Sequence, residues 1–210
     1  MGFSIWSLTI ITKIKQSLAT CCLAACITGA STLNAEPITF KIDPVHSGVS
    51  FKIRHFFAKT PGTFDAFSGT VTFDPNDAKN NSVEAQIELA SVDTNNSDRD
   101  DHLRSADYFD TSKHQYITYK SSSWKKGEGE NKYIVTGDLT MFGKTQPVAL
   151  EVEFLGMGEG QGPMAGIKLA GFSAETEIDR TKWGLTAGTP AVGEMVEISL
   201  EIEAHHKLND

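Results

Sequence analysis

From Ile38 almost to its end the chain alternates apolar with polar side chains at a period of two, a pattern that a strand buries on one face and a helix cannot. Ile38, Phe40 and Ile42 open the series, and after a turn at Pro44 it continues through Val49, Phe51, Ile53 and His55. Phe67 to Phe73, Val83 to Leu89, Tyr133 to Leu139, Val148 to Phe154 and Val196 to Ala204 repeat it. Because successive strand side chains point to opposite faces, the alternation predicts that Phe51, Ile53, Phe73, Ile87, Leu150 and Leu200 point inward. Turn residues punctuate the runs at Asp74, Pro75 and Asn76, and a hairpin is expected at Phe142, Gly143 and Lys144. The glycine-rich stretch Gly156 to Gly166 matches neither GxGxxG nor the Walker pattern and reads as a flexible connection. His205 and His206 follow the last alternating run and read as a terminal tail.

Short strands with almost no helical crossover favour a closed antiparallel barrel or a sandwich. An eight-stranded barrel is wide enough either to be filled by its own side chains or to hold one ligand, and alternation alone does not choose between them.

One stretch departs from the pattern: SVDTNNSDRDDHLRSADYFD, Ser91 to Asp110. Asn95, Asn96 and Ser97 are N-cap residue types, and Asp98, Asp100 and Asp101 place negative charge where the helix dipole favours it. Arg104 lies towards the other end, so the spacing predicts a helix over Asp98–Asp107. On it Arg99, His102, Leu103 and Ala106 share one face, and Asp100 is spaced to pair with Arg104. A face that mixes a guanidinium and an imidazole with apolar groups needs acceptors opposite it, either from the protein or from a bound polar head group. For Arg99 the two candidates are Asp98 and an anionic head; for His55 they are a core hydrogen bond and a ligand. Phe56, Phe57, Phe64 and Phe67 crowd around AKTPGT, which reads as a loop, as core rings or as the lining of a pocket mouth.

Residues 1–35 contain Lys13 and Lys15, no acidic residue, and a run of apolar and small residues with the layout of a secretory signal. Two cleavages are expected as alternatives: before Glu36, or at the lipobox-like Leu23–Cys26, which would leave an acylated Cys26. The mature chain would then be 36–210, with no integral membrane segment. All three cysteines, Cys21, Cys22 and Cys26, lie in this leader, so the remainder has no disulfide or thiolate ligand. The chain carries 27 acidic against 19 basic residues, two of which leave with the leader, and this acidity argues against nucleic-acid binding. His46, His55, His102 and His114 fit no HxH, HExxH or EF-hand spacing, so no dedicated metal site and no cofactor are expected. Asp43, His46 and Ser47 suggest a hydrolase as the alternative to a binding protein, although no GxSxG elbow accompanies them.

The helical stretch, together with HSGVSFKIRH (His46 to His55), GTFDAFSGTVTFDP (Gly62 to Pro75), TGDLTMFGKTQPVAL (Thr136 to Leu150) and DRTKWGL (Asp179 to Leu185), closely resembles the YceI family of lipid-binding periplasmic proteins. The resemblance runs from about Ile38 to Ala204. It implies an all-β fold, an antiparallel lipocalin-like eight-stranded barrel with one short helix, and a non-enzymatic, periplasmic role. Its hollow interior would hold a long-chain isoprenoid or fatty amphiphile. The residues expected to contact that ligand are Phe51, Ile53, His55, Phe57, Phe64, Phe67, Arg99, His102, Leu103, Phe109, Phe142 and Trp183. A homodimer is left open.

Overall fold

A computed structural model describes residues 36–208. The leader, its cleavage sites and its cysteines lie outside the described residues. Eleven strands follow in order: β1 (Ile38–Ile42), β2 (Gly48–His55), β3 (Ala58–Phe64), β4 (Phe67–Phe73), β5 (Ser82–Glu88), β6 (Val92–Asp93), β7 (Tyr116–Lys126), β8 (Lys132–Met141), β9 (Lys144–Glu159), β10 (Ile167–Asp179) and β11 (Val192–Lys207). Helix α1 (Ser97–Arg104) stands between β6 and β7.

Hydrogen bonding runs β1–β4–β5–β7–β8–β9–β10–β11 and returns to β1, which closes an eight-stranded antiparallel barrel. β11 is 16 residues long, about 50 Å at strand rise, enough to pair with β1 near its end and with β2 before it. The break at 43–47 therefore divides one wall into β1 and β2, and β3 with β6 extends the same wall beyond the closed ring. Register shifts at Ser121/Ser123, Gly171/Phe172 and Val192/Val196 bend the strands that must curve. Phe142 and Gly143 make the β8–β9 hairpin with φ of 53° and 71°, the double left-handed turn whose twist suits adjoining strands.

One end of the barrel is filled. Phe73, 1% exposed, sits among Trp124, Tyr133, Phe154 and Phe172 at ring separations of 4.6 to 5.9 Å. Lys126 caps this plug, with Nζ 4.3 Å from the Tyr133 ring centroid and donating to its hydroxyl at 2.7 Å. Phe51, Ile53, Ile87, Leu150 and Leu200 are only half buried, yet all line one internal cavity, so their residual exposure belongs to that space.

Several local expectations change. The helix spans Ser97–Arg104 and stops three residues short of Asp107, because the Ser105 hydroxyl and N–H both donate to the carbonyl of His102 and turn the chain away. Asn96 is the cap, accepting from the Arg99 N–H at 2.9 Å. Arg104 pairs with Asp101 rather than Asp100, whose buried carboxylate is held by Thr94. AKTPGT is strand rather than loop, and Gly156 and Gly158 belong to β9, paired with Gly171 and Leu169 of β10. His205 and His206 are strand residues as well: a single-chain pattern cannot show that β10 supplies a partner for them through Leu169 and Lys168.

Candidate functional site

The apolar faces of the barrel strands enclose a cavity of about 470 Å³, inside the range of roughly 300–1,000 Å³ typical of ligand pockets. Trp124 and Phe172, at the edge of the aromatic plug, also line it and so form its floor. Leu139, Met141, Val148 and Ile178 make one side, and Val49, Phe51, Phe64 and Leu200 another. Close approach is built into this wall. The Phe51 ring lies across Gly62, where an added Cβ would fall 2.3 Å from Cζ, so glycine is what lets the ring lie flat. Gly137 does the same for Tyr119: a Cβ there would stand 2.6 Å from the ring, and the hydroxyl is free to donate to the carbonyls of Val135 and Val148. Burial raises the Tyr119 pKa far above its ordinary value, so it serves the cavity as a neutral, satisfied group.

The other end is polar. His55 and His102 are exposed to solvent and also line the cavity, which places them at its mouth. Helix α1 reaches this end with Arg99, His102 and Leu103, and the chain after it adds Tyr108 and Phe109. Leu103 and Phe109 pack into the cluster of Val49, Phe64, Leu89 and Val92, which anchors the helix by its apolar positions. Arg99 donates Nε to the Thr94 hydroxyl and Nη2 to the Thr94 carbonyl, both at 2.7 Å, so neither Asp98 nor any other carboxylate holds it. His102 reaches Asp107 at 3.3 Å and sets its ring edge-on to Tyr108 at 5.0 Å.

A second guanidinium lines the same cavity and was not singled out from the sequence: Arg180, 2% exposed. It donates to the carbonyls of Leu185, Ala187 and Gly193 at 2.7 to 2.9 Å, drawing the loop before β11 around itself. Burial lowers its pKa from the ordinary arginine value, against the opposing influence of Tyr108, Glu194 and Asp179. Neither Arg99 nor Arg180 has an ion-pair partner among the described residues. Arg180 belongs to the DRTKWGL motif, but nothing in the spacing of that motif announces that its arginine is buried.

Nine of the residues expected from sequence to contact a ligand line the cavity: Phe51, Ile53, His55, Phe64, Phe67, Arg99, His102, Leu103 and Phe109. Three do not. Phe57 is 103% exposed, because it sits in the β2–β3 hairpin turn that projects beyond the wall. The rings expected together at a mouth are thus divided, Phe56 and Phe57 outside, Phe64 and Phe67 in the wall. Phe142 stacks against Phe109 at 6.0 Å and lies one layer behind the lining. Trp183 is 2% exposed, donates Nε1 to the Leu139 carbonyl at 3.1 Å, and backs Leu139, Met141, Val148 and Ile178 from outside the cavity.

The residues that suggested a hydrolase do not assemble as one. His46 Nδ1 does meet Asp43 Oδ2 at 2.6 Å, but the Ser47 hydroxyl donates to the Glu203 carbonyl at 3.1 Å and accepts from its N–H at 3.0 Å. That oxygen is committed to the backbone, and none of the three residues lines the cavity.

Comparison with known proteins agrees with this geometry. The model of the YceI-like domain matches residues 40–204. The UPF0312 protein plu2095 of Photorhabdus laumondii is 38% identical over 191 residues, which cover 90% of this chain and 97% of that protein. Burkholderia cenocepacia BcnA superposes with a TM-score of 0.67 at 29% identity, covering 78% of this chain and 99% of its own. A polyisoprenoid binding domain from Saccharophagus degradans, implicated in plant cell wall breakdown, superposes with a TM-score of 0.59 over 80% of this chain and 98% of its own; at 17% identity that likeness speaks to the fold.

Proposed function

The chain belongs to the YceI-like family, and from that premise we propose that it binds a long-chain isoprenoid or similar amphiphilic lipid without transforming it. The observation that carries this reading is the largely apolar cavity with Arg99, His102 and His55 in its lining. An apolar tail laid along the wall from Leu103 towards Trp124 would gain about 0.8 kcal/mol for each buried CH₂, so affinity would grow with tail length. The head group would remain at the mouth beside Arg99, His102 and His55. Guanidiniums held by carbonyls and a hydroxyl have no carboxylate partner among the described residues, and a planar fork of donors suits a phosphate or carboxylate. The occupant that fits best is therefore a long tail with an anionic head.

Export to the periplasm by the leader, with residues 36–210 or an acylated chain from Cys26 as the mature form, belongs to the same proposal. Among the described residues no helix is long and apolar enough to cross a membrane. Native mass spectrometry of the purified protein, followed by organic extraction, tests the reading: a co-purifying long-chain amphiphile is the expected result. Turnover of a panel of ester substrates, with no lipid bound, would replace it with the hydrolase.

A further inference from the structure

Outside the barrel, four potential ligand side chains meet where β1 breaks into β2. Along β11, Ile202 lines the cavity and Ala204 is fully buried, so the intervening Glu203 and the following His205 are turned to the outer face. The break brings Asp43 and His46 against them. The backbone there is pinned: the Asp43 N–H donates to the Glu203 carbonyl at 2.9 Å, and the Ser47 hydroxyl bonds both the carbonyl and the N–H of Glu203.

The side chains are equally constrained. Asp43 Oδ1 accepts the Val45 N–H at 3.1 Å, which leaves Oδ2 facing His46 Nδ1 at 2.6 Å and His205 Nε2 at 3.7 Å. Glu203 Oε1 faces the same two nitrogens, His205 at 2.8 Å and His46 at 3.7 Å. One donor atom from each residue thus lies within 4.8 Å of the other three. The Asp43 and His205 side chains are 16% and 21% exposed while His46 is 58% and Glu203 37% exposed, so the group opens to solvent on the His46 side.

We propose that Asp43, His46, Glu203 and His205 bind one divalent transition-metal cation, with zinc the best fit. A tetrahedral ion with bonds of about 2.0–2.2 Å holds its donors roughly 3.4 Å apart, and the four imidazole–carboxylate separations bracket that value. Movements of a few tenths of an ångström to about one would convert the two hydrogen-bonded pairs, His46 with Asp43 and His205 with Glu203, into one coordination shell. Two carboxylates neutralise a divalent charge, and two imidazoles favour zinc, copper or nickel over calcium or magnesium. The ion would tie the β1–β2 break to β11, the seam that closes the barrel, and would stabilise the folded state by binding it alone. Spacing rules fail to find the site because its halves come from opposite ends of the chain. It is independent of the lipid reading, since none of the four residues lines the cavity.

The test uses protein prepared without a polyhistidine tag, with its cysteines alkylated, stripped with EDTA and titrated with Co²⁺ and then Zn²⁺. One equivalent of Co²⁺ should produce the intense visible bands of a tetrahedral site, Zn²⁺ should abolish them, and the urea midpoint should rise with Zn²⁺. In His205→Ala, and in the isosteric Glu203→Gln, affinity should fall by more than the roughly 10–100-fold that loss of an outer-shell partner costs. His206→Ala is the control, because His206 bonds the Thr39 carbonyl and stands outside the group. Circular dichroism confirms that each variant is folded. Absence of binding to the wild type, or binding unchanged in folded Glu203→Gln, would overturn the site.

Discussion

Thr94 and Asp100 hold each other through two hydrogen bonds: the carboxylate Oδ1 accepts the Thr94 backbone N–H at 2.9 Å and its hydroxyl at 2.5 Å. Both residues are buried, and the same threonine hydroxyl accepts Arg99 Nε at 2.7 Å. One short side chain therefore fastens the start of the helix to β6 and aims the guanidinium at the cavity mouth. Thr94→Val, nearly isosteric, should leave the buried carboxylate with the N–H alone and cost about 2 kcal/mol of stability. Urea unfolding of the two proteins measures it, and a change within about 0.5 kcal/mol, the scatter of ordinary surface substitutions, would mean that Thr94 does not anchor the helix.

Arg99→Ala and Leu103→Asp should separate head-group recognition from tail burial. With an isoprenyl phosphate and a neutral lipid of equal length, Arg99→Ala should weaken only the phosphate. Leu103→Asp should weaken both by roughly tenfold or more, about 1.4 kcal/mol, because it sets an unpaired carboxylate against the tail. Equal losses for both lipids in the Arg99 variant would assign that residue to the scaffold. Unchanged binding in a folded Leu103 variant would remove the helix from the site.

Gly62→Ala should destabilise the barrel by about 1–3 kcal/mol and reduce the space for a ligand, since the new methyl displaces the Phe51 ring. Phe57→Ser, at the exposed hairpin tip, should change neither stability nor lipid affinity. Thermal unfolding and lipid titration of both variants check the contrast, and a large effect of Phe57→Ser would place that ring in the site after all.

Acid should loosen the segment behind the helix through Asp110, which has φ of 43° and accepts from Lys113 and Ser112. Those hydrogen bonds, the Lys113 one foremost, hold the Asp110 pKa below the ordinary value of 3.8. Because the folded pKa is depressed, the stabilisation is present above 3.8 and disappears as pH falls through the folded value. Asp110→Asn should therefore lose less stability than the wild type between pH 5 and pH 3. Parallel urea midpoints across that interval would decide the point against Asp110.

Export predicts that the mature protein lacks at least residues 1–25. Intact mass distinguishes a chain beginning at Glu36 from an acylated one beginning at Cys26, and retention of Met1 through Ala35 would exclude both cleavages.

The period-two pattern was enough to turn Phe51, Ile53, Ile87, Leu150 and Leu200 to one interior, because a strand has only two faces and burial selects the apolar one. The cap types and first-turn aspartates were enough to reveal a helix within the β pattern, since they answer local backbone needs. Assignments failed where the partner is remote. The Arg99 acceptor proved to be Thr94, the buried arginine of the cavity proved to be Arg180, and Phe57, though aromatic like Phe64, fell on the wrong side of a turn. Likewise, nothing local to His46 or His205 announces that barrel closure sets them beside each other's carboxylates. Periodicity and capping are properties of neighbours along the chain, so sequence alone determined most of the barrel strands, their inner faces and the existence of the helix, but not β3, the paired glycines of β9 or the strand end at His205 and His206. Which polar groups meet, and whether the interior is filled or hollow, depends on where distant strands come to lie, and only the tertiary structure decided that.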